Sequence, residues 1–206
     1  MTMKFPEHVA LSYLVAQLGA QQEYGLPGTL LVLIAGNLPD VDTLTLLGGW
    51  RFYRTYHRIV GHGLPVTLLG PAFLAAGAFV LGLGAFWPLW GWLQLALSVH
   101  LATDVCFYRW PVLLLWPVSR KGFGLGLVRW NDLVPTLVLY VFSAAALLSP
   151  GHGFAIGLLG LACFAAYLFW RAWQPPAQEG WRGWLTGLWA PHAAPFWRWL
   201  TGDFVT

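Results

Sequence analysis

The chain has 206 residues, of which 58% are hydrophobic and only 9% are charged. Soluble domains carry about a quarter charged residues, so this composition excludes an ordinary water-soluble enzyme and predicts an integral membrane protein. The net charge of +3 comes without a basic stripe on a soluble face, and we therefore expect no nucleic-acid partner. We find no linker and no internal repeat, so residues 1–206 are expected to form a single membrane domain.

Apolar runs of about 20 residues predict helices that can cross a bilayer. The first two runs, about 6–22 and 27–38, are diluted by polar residues, and we expect helices that either span the membrane or associate with it. Four later runs are clearer spans, at residues 64–86, 89–107, 133–149 and 153–173. Because none of the runs alternates with period two and an open sheet cannot sit in lipid, the predicted fold is an all-α polytopic transmembrane helical bundle.

Basic residues are concentrated in alternate connectors. The connectors 39–63 and 108–131 and the region after the last span contain Lys or Arg, whereas Phe86–Pro88 and Ser149–His152 contain neither. The positive-inside rule then places both termini and both long connectors in the cytoplasm. The Trp-rich tail at 173–206 is expected to lie in the cytoplasmic interface of the membrane.

Residues with metal-binding side chains converge on this cytoplasmic side. His100 and Asp104 are four residues apart and therefore share one helical face near the end of their span. Ionisable groups inside a span are costly and are usually functional. Together with residues at the ends of other helices they make a set of seven potential ligands from separate segments: His8, Asp40, Asp42, His57, His62, His100 and Asp104.

Each of these residues also has a simpler interpretation. Asp40 and Asp42 could be turn residues, because they follow a Leu-Pro pair at the end of a helix. His57 could be a solvated interface residue, and His100 could form a private hydrogen bond with Asp104. Asp132 lies on the same side but is most simply the N-cap of its span, and the sequence leaves its membership of the site open.

The set as a whole favours a metal centre. Mixed imidazole and carboxylate ligands suit Zn²⁺, Mn²⁺ or Fe²⁺, and more than four ligands imply more than one ion. Two ions could together activate a water molecule and stabilise the leaving oxygen of a phosphoester. We therefore expect two divalent ions as cofactors.

Four segments of the sequence resemble the bacterial membrane-bound metal-dependent hydrolases, a family that includes a LexA-regulated inner-membrane protein. They are "LPDVD", "HRIVGH", "HLATD" and "PVLLLWP", and the resemblance covers about residues 5–118. It implies the same seven ligands, a hydrolase activity and a location in the bacterial cytoplasmic (inner) membrane. Residues 57–63 depart from the family's usual "HRG-[IL]-THS", because the hydroxyl side chains of that motif are missing here.

The leading functional prediction is a cytoplasm-facing hydrolase that acts on a phosphoester, or another ester, bound at the membrane interface. Asp40, Asp42 and His62 are the expected catalytic residues, with Asp40 or Asp42 bridging the ions or acting as the base. Three arginines could hold phosphate oxygens: Arg54, Arg58 and Arg109. Two alternatives remain, a metal-handling or transport protein and a structural membrane protein with a stabilising metal site.

Overall fold

The computed structural model describes residues 5–49, 58–107, 111–128 and 132–173. Within these ranges the chain forms six α-helices: α1 (Phe5–Gln17), α2 (Ala20–Gly36), α3 (Leu64–Val80), α4 (Phe86–Cys106), α5 (Leu133–Leu148) and α6 (Gly153–Ala172). Two 3₁₀ helices accompany them, Pro39–Gly48, called the 39–48 helix, and Pro150–His152. The β-type pairing among the described residues is limited to two isolated bridges, which confirms the all-α prediction.

One described helix, Pro150–Ala172, is both long and apolar enough to cross a membrane. The helices α3 and α5 are as apolar as expected, but they contain 17 and 16 residues. The crossing of the membrane by several helices therefore stays a prediction. The interfacial tail was predicted for 173–206, and all of it beyond Trp173 lies outside the described residues.

Helix α1 lies at the centre of the bundle, although its sequence is among the least apolar. Nine of its 13 residues are buried, and it packs against α2, α4, α5 and α6. It is shorter than the predicted 6–22, because the chain turns sharply at Gly19. A Cβ at Gly19 would lie 2.3 Å from the Trp92 ring, so this turn depends on the absence of a side chain.

The polar residues of α1 are accommodated by small residues on its neighbours. A Cβ at Gly36 of α2 would lie 2.1 Å from Ser12 Oγ, and a Cβ at Gly157 of α6 would lie 2.8 Å from Gln17 Cβ. Close approach of the helix backbones is typical of membrane bundles, in which small residues line the helix contacts. These contacts hold α1 between two apolar clusters, one built with α2, α3 and α4 and the other with α5 and α6.

The segment 111–128 folds back onto the end of α4. Leu125 N donates to Val105 O at 2.6 Å, and Leu127 N donates to Cys106 O at 2.7 Å. Earlier in the segment, Leu113 N donates to Arg58 O at 3.2 Å, and Trp116 O accepts a hydrogen bond from Leu64 N at 3.0 Å. The segment thereby fixes the turn 58–63, which connects the 39–48 helix region to α3.

Candidate metal centre

Six of the seven predicted ligands meet in one buried cluster. His8 comes from the first turns of α1, and His100 and Asp104 come from the last turns of α4. The 39–48 helix contributes Asp40 and Asp42, and the 58–63 turn contributes His62. The seventh, His57, lies outside the described residues.

Asp104 is the centre of the cluster, and its two carboxylate oxygens face different partners. Oδ2 lies 2.9 Å from His62 Nε2 and 3.7 Å from His100 Nε2. Oδ1 lies 3.4 Å from His8 Nε2 and 2.5 Å from Arg58 Nη2. The side chains in these contacts are all buried. His100 and Asp104 therefore do not form an isolated pair, because Asp104 also contacts His8, Arg58 and His62.

The two aspartates of the 39–48 helix complete the cluster from the other side. Asp42 Oδ2 lies 3.4 Å from His62 Nδ1, and Asp40 Oδ1 lies 3.9 Å from His100 Nε2. The rings of His8 and His100 are stacked, with their centroids 3.7 Å apart. The two aspartates are the least enclosed members of the cluster, since the side chain of Asp40 is 9% exposed and that of Asp42 is 6% exposed.

The 58–63 turn is held against the 39–48 helix by its backbone. Arg58 adopts a positive φ of 68°, and its N–H donates to Asp42 Oδ2 at 2.8 Å. A Cβ at Gly61 would lie 2.2 Å from Pro39 O, so only glycine allows this approach. A positive φ in a non-glycine residue is strained, and such strain is characteristic of functional sites. These contacts bring His62 to the side of Asp104.

The donor atoms fit a divalent metal ion. No ring nitrogen of His8 or His100 makes a hydrogen bond to any residue in the described part of the chain, although both rings are buried. Two trios have donors within 4.8 Å of one another, His8–Asp40–His100 and His62–His100–Asp104. Ligands at about 2.0–2.2 Å from a zinc ion lie roughly 3–4 Å apart, so small side-chain movements would bring either trio onto an ion.

His62 is held by carboxylates on both sides of its ring. Burial disfavours its charged form, but hydrogen bonds to Asp104 and Asp42 outweigh burial and leave the pKa of His62 above its ordinary value. The two carboxylates also fix the orientation of the imidazole, as partners of metal-binding histidines commonly do.

Arg58 is placed differently from what a substrate-binding role would suggest. Its side chain is buried and its guanidinium faces Asp104 inside the cluster. The other two arginines predicted to hold phosphate oxygens, Arg54 and Arg109, lie outside the described residues. The sequence did not predict the inward position of Arg58, because it depends on the left-handed backbone at that residue.

A second polar cluster, which the sequence did not predict, lies between α1, α5 and α6. Thr136 Oγ1 donates to Glu7 Oε1 at 2.6 Å, and Tyr167 Oη donates to Asp132 Oδ2. Asp132 also accepts a hydrogen bond from Val134 N at 3.1 Å, which confirms the predicted N-cap. Asp132 belongs to neither candidate ligand trio. Glu7 precedes His8 directly, and consecutive residues on a helix point in different directions. This was the one signal in the sequence that Glu7 would lie outside the ligand cluster.

Comparison with known proteins places this chain in a family. The YdjM inner membrane protein family matches residues 3–177, and the chain belongs to it. The chain is also similar to the uncharacterized protein YfhP of Bacillus subtilis (strain 168), with 28% identity over 134 residues. That match covers 64% of this chain and 40% of the relative, so the chain spans about two fifths of the relative's length. No solved structure matches the chain.

Proposed function

We propose that this member of the YdjM inner membrane protein family is a metal-dependent hydrolase of a phosphoester at the membrane interface. The observation that carries the proposal is the buried cluster of three histidines and three aspartates, in which the ring nitrogens of His8 and His100 make no hydrogen bond with described residues. Unsatisfied buried polar groups are costly, so a ligand that binds these ring nitrogens would stabilise the cluster. A divalent cation satisfies both the imidazoles and the carboxylates.

The ligand set has room for two ions. Asp104 directs one oxygen toward His8 and the other toward His62, so its carboxylate can serve two positions. His100 belongs to both trios, and because its Nε2 has a single lone pair it would ligate only one of the two ions. Neutral imidazole with carboxylate favours Zn²⁺, Mn²⁺ or Fe²⁺. Such ions would supply Lewis acidity toward a phosphoryl oxygen and lower the pKa of water.

The charge of the site favours an anionic substrate. Three aspartates contribute three negative charges and Arg58 one positive charge, which leaves the described cluster with two negative charges when the histidines are neutral. Two divalent ions would reverse this to two positive charges. A phosphodiester anion and a hydroxide nucleophile together restore neutrality, whereas an uncharged carboxylic ester would leave positive charge in a buried site.

The remaining roles in the proposed reaction are assigned to side chains of this chain. Asp40 and Asp42 are the most accessible members of the cluster, and one of them is the proposed base. Asp104 and His62 hold each other in a fixed orientation at 2.9 Å. Arg58 positions Asp104 through its guanidinium and the Asp42 carboxylate through its backbone N–H, while binding of phosphate oxygens is proposed for Arg54 and Arg109.

The orientation of the site toward the cytoplasm is part of the proposal. It rests on the concentration of Lys and Arg in the connectors at the site end. Single cysteines at Arg120 and Ser149, in a background without Cys106 and Cys163, should show opposite accessibility to an impermeant thiol reagent in intact cells. Equal labelling of both from outside would contradict the orientation.

A structural metal site is the second candidate, and one observation favours it. All six clustered side chains are at most 9% exposed, so a substrate must displace or enter between covering groups. A structural site would bind metal without turnover. Activity measurement on the metal-loaded protein separates the two candidates.

The proposal is tested by a panel of lipid phosphoesters with the purified protein and either Zn²⁺ or Mn²⁺. Asp42→Asn should remove turnover while the protein stays inserted and folded, because the lost carboxylate contacts His62 and Arg58 N. Glu23→Gln is the matched control, since Glu23 is exposed and hydrogen-bonded to Tyr24 at 2.6 Å. A metal-loaded wild type that hydrolyses none of the panel would contradict the lipid phosphoester assignment. Full activity in Asp42→Asn would contradict the site.

A further inference from the structure

One face of the 39–48 helix carries apolar side chains that the described structure leaves open. A 3₁₀ helix has three residues per turn, so Val41, Leu44 and Leu47 lie above one another on one face. Their exposed fractions are 53%, 64% and 90%. At about 2 Å of rise per residue, these three side chains form an apolar ridge roughly 12 Å long.

The opposite side of the same helix is fixed to the metal centre. Asp42 accepts the hydrogen bond from Arg58 N at 2.8 Å, and Asp40 lies 3.9 Å from His100 Nε2. The tight contact between Gly61 and Pro39 O holds the first residue of the helix in place. The ridge therefore cannot turn inward without withdrawing both aspartates from the site.

The ridge follows directly on an exposed apolar stripe of α2. Leu26, Leu30 and Ile34 are four residues apart, so they share one helical face, and all three are exposed. Backbone hydrogen bonds from Asn37 to Ile34, from Leu38 to Ala35, from Asp40 to Asn37 and from Val41 to Leu38 lead from α2 into the 39–48 helix. In a protein of an inner membrane family, an exposed apolar stripe of this kind fits a surface that faces lipid, and the ridge continues it along the chain.

We propose that the apolar ridge of Val41, Leu44 and Leu47 inserts into the bilayer at the boundary between headgroups and acyl chains. The depth is shallow because the same short helix exposes Thr43 and carries two carboxylates, which are costly to place in the hydrocarbon core. A shallow insertion is typical of interfacial elements whose apolar face enters the membrane by about 5–10 Å. The ridge thus binds a lipid surface, and this inference does not depend on hydrolysis.

The test uses the full chain in vesicles of phosphatidylcholine and phosphatidylglycerol. Leu47→Cys, in a Cys106→Ala and Cys163→Ala background, carries an environment-sensitive fluorophore, and the vesicles contain nitroxide lipids labelled at the headgroup or deep in the acyl chain. Phe73→Cys on the exposed face of α3 and Arg120→Cys on the 111–128 segment are controls, since both side chains are exposed. Circular dichroism checks that each variant is folded, independently of metal and activity.

The label at Leu47 should shift its emission to the blue and be quenched more by the headgroup nitroxide than by the deep one. The label at Phe73 should show the opposite preference, and the label at Arg120 should respond only to aqueous iodide. A Leu47 label that behaves like the Arg120 label, or one quenched mainly from the deep position, would overturn the proposal. Quenching and emission that change on dilution of the protein in lipid would show that a second copy covers the ridge, which also overturns it. Leu44→Cys repeats the measurement if Leu47→Cys does not fold.

Discussion

The two sides of α1 carry polar clusters of opposite character. On one side Glu7 accepts a hydrogen bond from Thr136, and Tyr167 and Val134 donate to Asp132. Here donors and acceptors match. On the other side, which is the candidate metal centre, His8 and His100 are buried with ring nitrogens that make no hydrogen bond in the described part of the chain. Among the described residues, this side contains three carboxylates, and the guanidinium of Arg58 faces one of them, Asp104.

The difference indicates what each cluster is for. Buried polar groups that satisfy one another hold helices in register and require nothing further. A cluster of buried carboxylates and of imidazoles whose ring nitrogens lack hydrogen bonds from described residues would be stabilised by a bound cation. Variants on the Glu7 side should therefore change stability alone, whereas variants on the His8 side should change metal binding.

Asp104→Ala is expected to have the largest effect. It removes the carboxylate that faces His8, His62 and the Arg58 guanidinium, so metal binding should be lost. Breaking a buried ion pair costs about 3–5 kcal/mol, and the metal-free protein should be destabilised by that order. Thermal unfolding in mild detergent and metal analysis measure the two effects. Adding Arg58→Met should restore part of the stability but none of the metal, and recovery of metal in that double variant would contradict the assignment.

Gly61→Ala should weaken metal binding without removing any ligand. The new Cβ would lie 2.2 Å from Pro39 O, so the 58–63 turn must move away from the 39–48 helix. Changes in groups that support metal ligands typically cost about 10–100-fold in affinity, and we expect a loss in that range. Competition with a fluorescent chelator measures it. Gly77→Ala is the control, because a Cβ at Gly77 meets nothing within 4 Å and should leave the affinity unchanged.

Thr136→Val should affect the Glu7 side of α1 and leave the candidate metal centre intact. It removes the 2.6 Å hydrogen bond to buried Glu7, and losing one such partner costs about 1–3 kcal/mol. The expected result is a lower unfolding temperature with unchanged metal content. A loss of metal comparable to that in Asp104→Ala would show that the two clusters are coupled and would remove the contrast between them.

Tyr167→Phe is expected to have the smallest effect. The substitution removes the hydroxyl that donates to Asp132, while Val134 N still donates to the same carboxylate. A hydrogen bond of this kind contributes about 0.5–1.5 kcal/mol, so stability should fall by that amount at most. Unfolding in denaturant should detect it, and metal content should not change.

The helices and the convergence of six of the seven predicted ligand residues were largely predictable from the sequence, whereas metal binding by these residues stays a prediction. The apolar runs predicted the bounds of helices α3–α6 to within a few residues, except that α3 ends at Val80 and not at the predicted residue 86. The four-residue spacing of His100 and Asp104 gave one face of the site, and these patterns depend only on helix geometry. The predicted span 64–86 was too long because Gly82 and Gly84 adopt positive φ and turn the chain before α4.

The arrangement of the connectors was not predictable from local patterns. The inward guanidinium of Arg58 depends on a positive φ and on hydrogen bonds from Leu113 and to Asp42. The central position of α1 depends on glycines of α2 and α6 that lie far away in the sequence. Such contacts between distant segments have no signature in composition or spacing.

The metal content of the purified protein tests the central claim most directly. Protein prepared in mild detergent without added chelator should contain close to two divalent ions per chain by elemental analysis. His100→Ala should lose metal because His100 belongs to both ligand trios, whereas His152→Ala, an exposed histidine at the start of α6, should retain it. A wild type that binds no divalent ion, or a His100→Ala variant with the full wild-type content, would contradict the account.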